Sequence, residues 1–267
     1  MRVLAEGGLA LEALVTNDPT SSEPTLGVRR FVEAYRAIRL EQGFASNDPA
    51  FAERLPFRDA TGKNRQVWRT RAIHYVFIRA ALALLLRTER VLDLGAGNGW
   101  LARRLAPRHR VTAVDIDNGA TGLGAITDSR VGRLCGEIDR LPLRSGVFDV
   151  VIAAASVHYS ADPLGVLAEI ARVLRPRGVL ILADSPVYQN ATARDRAWER
   201  TRSYYEETGH PELAQRYRGL TRPELRDCPT FRFFTLSPGF ERWQSAFERL
   251  RGKEVGVRLP VLLGLRR

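Results

Sequence analysis

Residues 90–100 read RVLDLGAGNGW, and this stretch decides the fold expected for the chain. A short apolar run carries one acid, Asp93, and then meets glycines at positions 95, 97 and 99. Residues 100–105, WLARRL, then have apolar residues at helical spacing. A strand that feeds a glycine turn and then a helix presents backbone N–H groups to a ligand, because glycine permits positive φ and lets the ligand approach the backbone. We therefore expect a ligand site at this turn.

Two ligand classes use such a turn. Gly97-x-Gly99-x-x-Ala102 satisfies the dinucleotide fingerprint in a degenerate form, although its glycines begin late relative to the strand. The other frame is the acidic-x-Gly-x-Gly-x-Gly string that starts at Asp93. Asp115 ends the next strand-like run, RVTAVD, and a carboxylate there can accept both hydroxyls of a ribose in either class. Asp117 competes for that role, but the end of the strand favours Asp115.

Strand-like and helix-like runs alternate from residue 90 onward. Strands are predicted at RVLDLG, RVTAVD, FDVVIAA (148–154), VLILAD (179–184), FRFFTL (231–236) and GVRLPVLLGL (256–265). Helices are predicted at 28–42, 63–87, 100–105, 164–174, 191–217 and 240–250, with a short helix after Asn47-Asp48-Pro49. Apolar strands separated by helices imply a parallel sheet that is buried on both faces.

The string from Asp93 to Gly99 resembles motif I of the class I S-adenosylmethionine (SAM)-dependent methyltransferases. GEIDRLPLRSGVFDVV (136–151) resembles the later segment of that class, in which an acid precedes a Leu-Pro and a buried strand follows. EIARVLRPRGVLILAD (169–184) resembles its helix, turn and fifth strand, with Arg177 where the class has the first glycine. Residues 88–186 are most similar to the type 11, quinone-biosynthesis-like small-molecule methyltransferases.

The resemblance implies SAM as the cofactor and S-adenosylhomocysteine as the product. By the same match, Asp93 orients the turn and contacts the amino acid end of SAM, with a role in holding the loop as the alternative. Glu137 and Ile138 would face the adenine, and Ala154 would lie near the sulfur. The full set of implied cofactor-binding residues is Asp93, Gly95, Ala96, Gly97, Asp115, Ile116, Glu137, Ile138 and Ala154.

The resemblance also implies the architecture. It is an α/β fold with a Rossmann-like, seven-stranded, mostly parallel sheet whose last strand, here within VRLPVLLGL, is antiparallel. The expected parts are an N-terminal tail and linker (1–27), a helical cap (28–88), the cofactor-binding core (89–186), a helical lid insert (187–228) and C-terminal strands (229–267) that complete the sheet.

Methyl transfer from SAM is an in-line displacement, so the protein mainly aligns the reactants and excludes water. A general base is needed only where the acceptor must lose a proton early. His158 follows the fourth strand and is the candidate base, with packing beside the cofactor as the alternative. Tyr35, Tyr75, Tyr159 and Tyr188 are candidate acceptor-binding residues, and helix core is the alternative for each. Arg71 or Arg79 could meet the SAM carboxylate, although solvated helix faces are the simpler interpretation.

The chain has a formal net charge of +11, and of its 41 basic residues only Lys63 and Lys253 are lysine. The arginines are spread along the chain, which favours a compositional bias over an RNA-binding surface. An RNA partner remains an alternative, although no RNA-binding motif is visible.

Several function classes are disfavoured. No uninterrupted apolar stretch reaches the length of a membrane span, and the acids near the N-terminus argue against a signal peptide. Cys135 and Cys228 form neither a metal-binding spacing nor a disulfide framework, so we expect no metal and a reducing, cytoplasmic setting.

The sequence thus predicts a SAM-dependent methyltransferase that acts on an O, N or C atom of a small molecule. An RNA methyltransferase is the first alternative and an NAD(P)-binding oxidoreductase the second. A non-catalytic SAM-binding protein is the third.

Overall fold

A computed structural model describes residues 14–15, 26–48, 50–85, 88–237, 239 and 257–267 of the chain. Its centre is a seven-stranded sheet. The strands of this sheet are β1 (Arg90–Leu94), β2 (Arg110–Asp115), β3 (Val131–Cys135), β4 (Phe148–Ala154), β5 (Leu174–Ala183), β8 (Phe231–Thr235) and β10 (Leu262–Arg266). They lie side by side in the order β3-β2-β1-β4-β5-β10-β8. A second, small sheet contains β6 (Val187–Tyr188), β7 (Leu220–Thr221) and β9 (Val257–Arg258).

Eight α-helices surround the sheet within the described ranges. They are α1 (Leu26–Glu41), α2 (Phe51–Arg54), α3 (Arg65–Leu84), α4 (Trp100–Leu105), α5 (Pro163–Val173), α6 (Ala191–Glu207), α7 (Glu212–Gln215) and α8 (Arg222–Arg226). Local chemistry sets where several of them begin. The Asp162 carboxylate accepts the Gly165 N–H ahead of α5, and the Asn190 side chain accepts the Ala193 N–H ahead of α6.

The first five strands are parallel, and β10 runs antiparallel to both β5 and β8. Alternate residues of β1 enter different layers: Val91 packs with α3 and α4, whereas Leu92 and Leu94 pack with α5. Because both faces are covered, the strands are apolar nearly throughout, as a parallel sheet requires. The strand order switches sides at β1, with β2 and β3 on one side and β4 and β5 on the other, so a crevice opens beside the carboxyl end of β1, where ligands bind in such sheets.

A third cluster of apolar side chains lies above that crevice. Phe31, Ala34 and Ile38 of α1 pack against Tyr205 of α6 and against Leu213 and Ala214 of α7. The N-terminal helix and the segment after β5 therefore meet over the carboxyl edge of the sheet.

The predicted fold class is confirmed: the sheet has seven strands, is mostly parallel and has a reversed last strand. In the central sheet, the strand Val131–Cys135 was not predicted, because VGRLC is short and its burial is interrupted at three of five positions. The two-residue strands β6 and β7 of the small sheet were not predicted either. The segment predicted as one helix over 191–217 is instead α6 followed by the short α7.

The two C-terminal strand predictions have different outcomes. FRFFTL is found as β8, whereas the run 256–265 divides into β9 and β10 and pairs with two different sheets. The predicted linker 16–25 and the predicted helix at 240–250 lie outside the described residues. Among the helices that are described, none is both long and apolar enough to cross a bilayer.

Candidate active site

The glycine turn follows β1 and is tied to β2. The N–H groups of Gly95 and Ala96 both donate to the Val114 carbonyl, at 2.8 and 3.0 Å. Gly95 has φ +71°, and a Cβ there would overlap the side chain of Ser156. Gly97 has φ +52°, but a Cβ there would meet no protein atom within 4 Å. The first glycine is thus needed for packing, whereas the second faces open space inside the crevice.

Two buried carboxylates support this turn from below. Asp93 accepts the Ala102 N–H at 3.0 Å, and burial raises its pKa to about 7. Asp115 accepts the N–H groups of Gly97 and Asp117 through separate oxygens, each at 2.8 Å. Burial raises the pKa of Asp115 to about 6, although its backbone hydrogen bonds lower it. Each oxygen of Asp115 retains a lone pair for a further donor.

Three adjoining cavities open at this edge. The central cavity, of about 190 Å³, is lined by the glycine turn, Asp115, Ala154 and residues of α1 and α3. The sheet-edge cavity, of about 50 Å³, lies beyond Asp115 and is walled by Ile116, Glu137 and Ile138. The tyrosine cavity, of about 810 Å³, lies on the other side, between α1 and α6. Tyr159 lines all three, so they form one continuous cleft.

Two arginines enter the central cavity from the helices above it. Arg71 of α3 lies with its guanidinium 4.6 Å from the ring centroid of Trp68 and 5.6 Å from that of Phe44. Burial lowers the pKa of Arg71, and within the described structure it forms no ion pair with a carboxylate. Arg39 of α1 hydrogen-bonds the Tyr159 hydroxyl, and its Nε is buried with no hydrogen-bond partner in the described structure.

A salt bridge clamps α1 over the same cavity. The Arg36 guanidinium contacts the buried Asp117 carboxylate at 2.5 Å, and Asp117 also accepts the Gly119 N–H. Asp117 was considered beside Asp115 as the carboxylate that binds a ribose. In the structure, the Asp117 carboxylate forms a salt bridge with Arg36 instead.

His158 lies where the central and tyrosine cavities meet. Its ring packs 4.3 Å from the centroid of Tyr159 and 5.2 Å from that of Tyr217, and its Nδ1 is 3.2 Å from the Ser185 hydroxyl. Burial and the nearby positive charges of Arg39 and Arg71 lower its pKa to about 3. The imidazole is therefore neutral at physiological pH.

Asp184 lies at the same junction, directly after β5. Its carboxylate shares a hydrogen bond of 2.7 Å with Nδ1 of the fully buried His74. Asp184 has φ +55°, a conformation that non-glycine residues rarely adopt and that is often found at functional sites.

Most residues predicted to bind a cofactor come together in the cleft. Gly95, Ala96, Gly97, Asp115 and Ala154 line the central cavity, and Ile116, Glu137 and Ile138 line the sheet-edge cavity. Of the predicted acceptor residues, Tyr35, Tyr159 and Tyr188 line the cleft. Glu137 is half-exposed and forms an ion pair with Arg216 at 3.1 Å. Arg216 also lines the sheet-edge cavity.

Two predicted residues lie elsewhere. Asp93 lies beneath the turn and lines none of the three cavities, because its carboxylate holds the start of α4; this is the loop-holding alternative. Tyr75 packs in the core between the rings of Phe57 and Trp100, since it is on the face of α3 that meets the sheet.

Arg39, Asp184 and Tyr217 were not predicted as site residues, and a solvated position was preferred for Arg71. A signal for Arg39 existed, because it follows Tyr35 by four positions and so shares its helix face. No comparable signal existed for Asp184 and His74, which are 110 residues apart in sequence.

Comparisons with known proteins agree with this geometry. Residues 92–182 match the family described as "Methyltransferase domain". Malonyl-[acyl-carrier protein] O-methyltransferase of Serratia marcescens is 32% identical over 96 residues, which cover 36% of this chain and 38% of that protein. The 27-O-demethylrifamycin SV methyltransferase of Amycolatopsis mediterranei is 37% identical over 115 residues, covering 40% of this chain and 42% of that protein.

A solved structure shares the fold. Phosphoethanolamine N-methyltransferase 2 of Haemonchus contortus, solved with S-adenosylhomocysteine, superposes with a TM-score of 0.51 at 16% identity, covering 72% of this chain and 52% of that one. The chain matches only about two fifths of the length of the two curated relatives named above. Residues 92–182 are therefore similar to methyltransferase domains, in agreement with the predicted class.

Proposed function

We propose that the protein is a SAM-dependent methyltransferase that acts on a small-molecule acceptor. The observation that carries the proposal is the glycine turn, where Gly97 has a positive φ and faces open space in the central cavity, which Asp115 and Arg71 also line. At this turn a ligand can contact the backbone directly, and it meets a carboxylate and a guanidinium that has no ion pair among the described residues. Together these groups suit a nucleoside that carries an amino acid. The arrangement does not resemble a pyrophosphate site, which disfavours the dinucleotide alternative.

Each part of SAM has a matching group in this proposal. Asp115 accepts the ribose hydroxyls through the lone pairs that its backbone contacts leave free. Ile116, Glu137 and Ile138 enclose the adenine in the sheet-edge cavity. Arg71 holds the carboxylate of the amino acid end, because a guanidinium without an ion pair needs an anion when it is desolvated. Asp93 acts indirectly, by fixing the turn.

When bound, SAM supplies a methyl group already activated by the positive sulfur, and the acceptor atom displaces the neutral thioether. The residues of this chain therefore mainly orient the acceptor and exclude water. We propose that His158 is the catalytic residue at the junction of the two cavities, where its neutral ring accepts a hydrogen bond from the acceptor. A pKa of about 3 makes the His158 ring a weak base. His158 would therefore orient the acceptor atom through this hydrogen bond, and the acceptor's proton would pass on to solvent.

The remaining predictions fit this reaction. The cap (28–88) and the lid (187–228) supply Tyr35 and Tyr188 to the cleft, and Tyr159 lies between them. The expected cytoplasmic location stays a proposal, and it agrees with Cys135 and Cys228 being free thiols. No group of side chains able to hold a metal ion occurs among the described residues. A small-molecule acceptor is favoured over RNA because α1 packs against α6 and α7 above the crevice and so narrows the access to it.

The test is transfer of tritium from methyl-labelled SAM in a bacterial cell extract, followed by separation of small molecules from RNA. The proposal predicts label in the small-molecule fraction with the wild type and at least tenfold less with Asp115→Ala, which loses the contacts at the ribose. Label in a ribonuclease-sensitive fraction would instead support the RNA alternative. Absence of transfer together with tight SAM binding would support a non-catalytic SAM-binding protein.

A further inference from the structure

The tyrosine cavity combines aromatic walls with unpaired positive charge. Its volume of about 810 Å³ lies within the range of small-molecule sites. Tyr159, Tyr188, Tyr204, Tyr205 and Tyr217 line it, so a bound molecule meets ring faces on several sides. Flat, conjugated molecules gain most from such walls, because aromatic rings pair favourably in stacked and edge-on geometries.

Two guanidinium groups, those of Arg39 and Arg200, line the same cavity. In the part of the chain that the structure describes, neither forms an ion pair with a carboxylate. Arg39 is held by Tyr159 and by Gln42 at 3.1 Å, and it lies 4.9 to 5.5 Å from the centroids of three aromatic rings. Its buried Nε has no hydrogen-bond partner among the described residues.

The acidic residue on this cavity wall does not balance these charges. Asp184 is the one carboxylate among the described residues that line it, and Asp184 is already hydrogen-bonded to His74 at 2.7 Å. The partly buried Arg39 guanidinium has no carboxylate counter-ion among the described residues, which is unfavourable, and the exposed Arg200 adds a second positive charge at the cavity wall, so the cavity favours a ligand that brings negative charge.

The cofactor cannot supply that charge to both cavities. SAM has one carboxylate, which the proposed function assigns to Arg71, and it also has an ammonium group and a sulfonium. Its binding therefore adds net positive charge beside Arg39. An anionic acceptor would then be attracted by both the arginines and the sulfonium.

On the basis of the proposed function, we propose that the methyl acceptor is a planar aromatic acid whose anionic group is bound between Arg39 and Arg200. The aromatic body lies among the tyrosines of the cavity, and the atom to be methylated points toward His158. Arg39 and Arg200 act as specificity-determining residues and take no part in the bond changes.

The experiment measures binding to the full-length chain saturated with S-adenosylhomocysteine, by isothermal titration. The probes are two matched pairs: 4-hydroxybenzoate with 4-hydroxybenzamide, and 1-hydroxy-2-naphthoate with its primary amide. Each pair keeps the ring and the hydroxyl but removes the charge. The proposal predicts that each carboxylate binds about tenfold or more tightly than its amide, as expected for charge-assisted hydrogen bonds.

Variants show where the preference arises. Arg200→Gln, at an exposed position, should reduce the preference at least threefold without loss of fold, and Arg200→Lys should retain part of it. Arg39→Gln should abolish the preference, with the melting temperature recorded because Arg39 is partly buried. The matched control is Arg202→Gln, because Arg202 lies on the same helix but pairs with Glu199 and Glu206 on the surface.

The outcomes separate the two proposals. If S-adenosylhomocysteine does not bind, the proposed function fails. If it binds, but the amides bind as tightly as the carboxylates or no probe binds, the anionic aromatic acceptor is wrong while the proposed function stands. A preference that is unchanged in both Arg39→Gln and Arg200→Gln also overturns the assignment.

Discussion

Replacing Gly97 by alanine separates folding from ligand binding. Gly97 has φ +52°, and a Cβ there would contact no protein atom within 4 Å. The protein therefore tolerates the methyl group, and the cost is the strain of a left-handed alanine, about 1–2 kcal/mol. The lower entropy of the unfolded alanine chain offsets about 0.5–1 kcal/mol of it. We expect a net loss of about 1 kcal/mol and a melting temperature lower by about 2–4 °C.

The effect on the cofactor is expected to be larger. The added methyl projects into the central cavity, in the space that SAM is proposed to occupy against the turn. We expect the Kd for S-adenosylhomocysteine to rise by at least about tenfold, which is about 1.4 kcal/mol or more. Isothermal titration measures the Kd, and urea unfolding of the unliganded protein measures the loss of stability.

Gly146 provides the matched control. It has φ +68°, and a Cβ there also meets nothing within 4 Å. However, it lies before the amino end of β4, at the edge of the sheet opposite the cleft. Gly146→Ala should lose similar stability and bind S-adenosylhomocysteine normally. The reasoning is refuted if Gly97→Ala binds with wild-type affinity, or if both variants lose affinity equally.

Three further predictions follow from the geometry. Arg71→Met should raise the Kd for S-adenosylhomocysteine at least about tenfold, whereas Arg79→Met, on the same helix, should not; titration of both variants checks this. The pKa of Asp93 is raised to about 7 in the folded state, so its stabilising effect is complete below its unfolded pKa and is lost as the pH rises through 7. Asp93→Asn should therefore gain roughly 2–3 kcal/mol relative to the wild type between pH 5 and pH 8 in urea unfolding, and a constant difference would contradict the burial of an ionisable Asp93. Arg177 has φ +63° at an exposed position, so Arg177→Gly should raise the free energy of unfolding by about 0.5–1 kcal/mol, and a decrease would show that contacts of the arginine outweigh its strain.

Sequence patterns predicted which residues gather around the glycine turn because the arrangement is local. The acid and glycines around β1 are contiguous, and Asp115 is placed by the end of its own strand. Their positions follow from strand and turn geometry, so the prediction needs no knowledge of distant packing. Asp93 shows the limit: the same pattern fits a ligand contact and a backbone contact, and only the structure reveals that the carboxylate holds the Ala102 N–H.

The tyrosine cavity could not be predicted in the same way, because it forms where distant segments pack. Tyr75 was expected in the cleft, but helical spacing alone does not show which face of α3 meets the sheet. Arg39 and Tyr205 become neighbours only because α1 packs against α6 and α7. Asp184 and His74 meet through the packing of α3 beside β5, and nothing in either local sequence indicates it.

The most direct test of the central claim, a SAM site at the glycine turn, is thermal unfolding with S-adenosylhomocysteine, NAD and NADP in parallel. At a concentration of 100 Kd a ligand adds about 2.7 kcal/mol of stability, which corresponds to a rise of about 5–10 °C for a chain of this size. We expect this rise with S-adenosylhomocysteine alone, and a rise no more than about half as large at the same concentration in Gly97→Ala, whose Kd is at least about tenfold higher. A rise with NAD or NADP and none with S-adenosylhomocysteine would contradict the account and assign the turn to a dinucleotide.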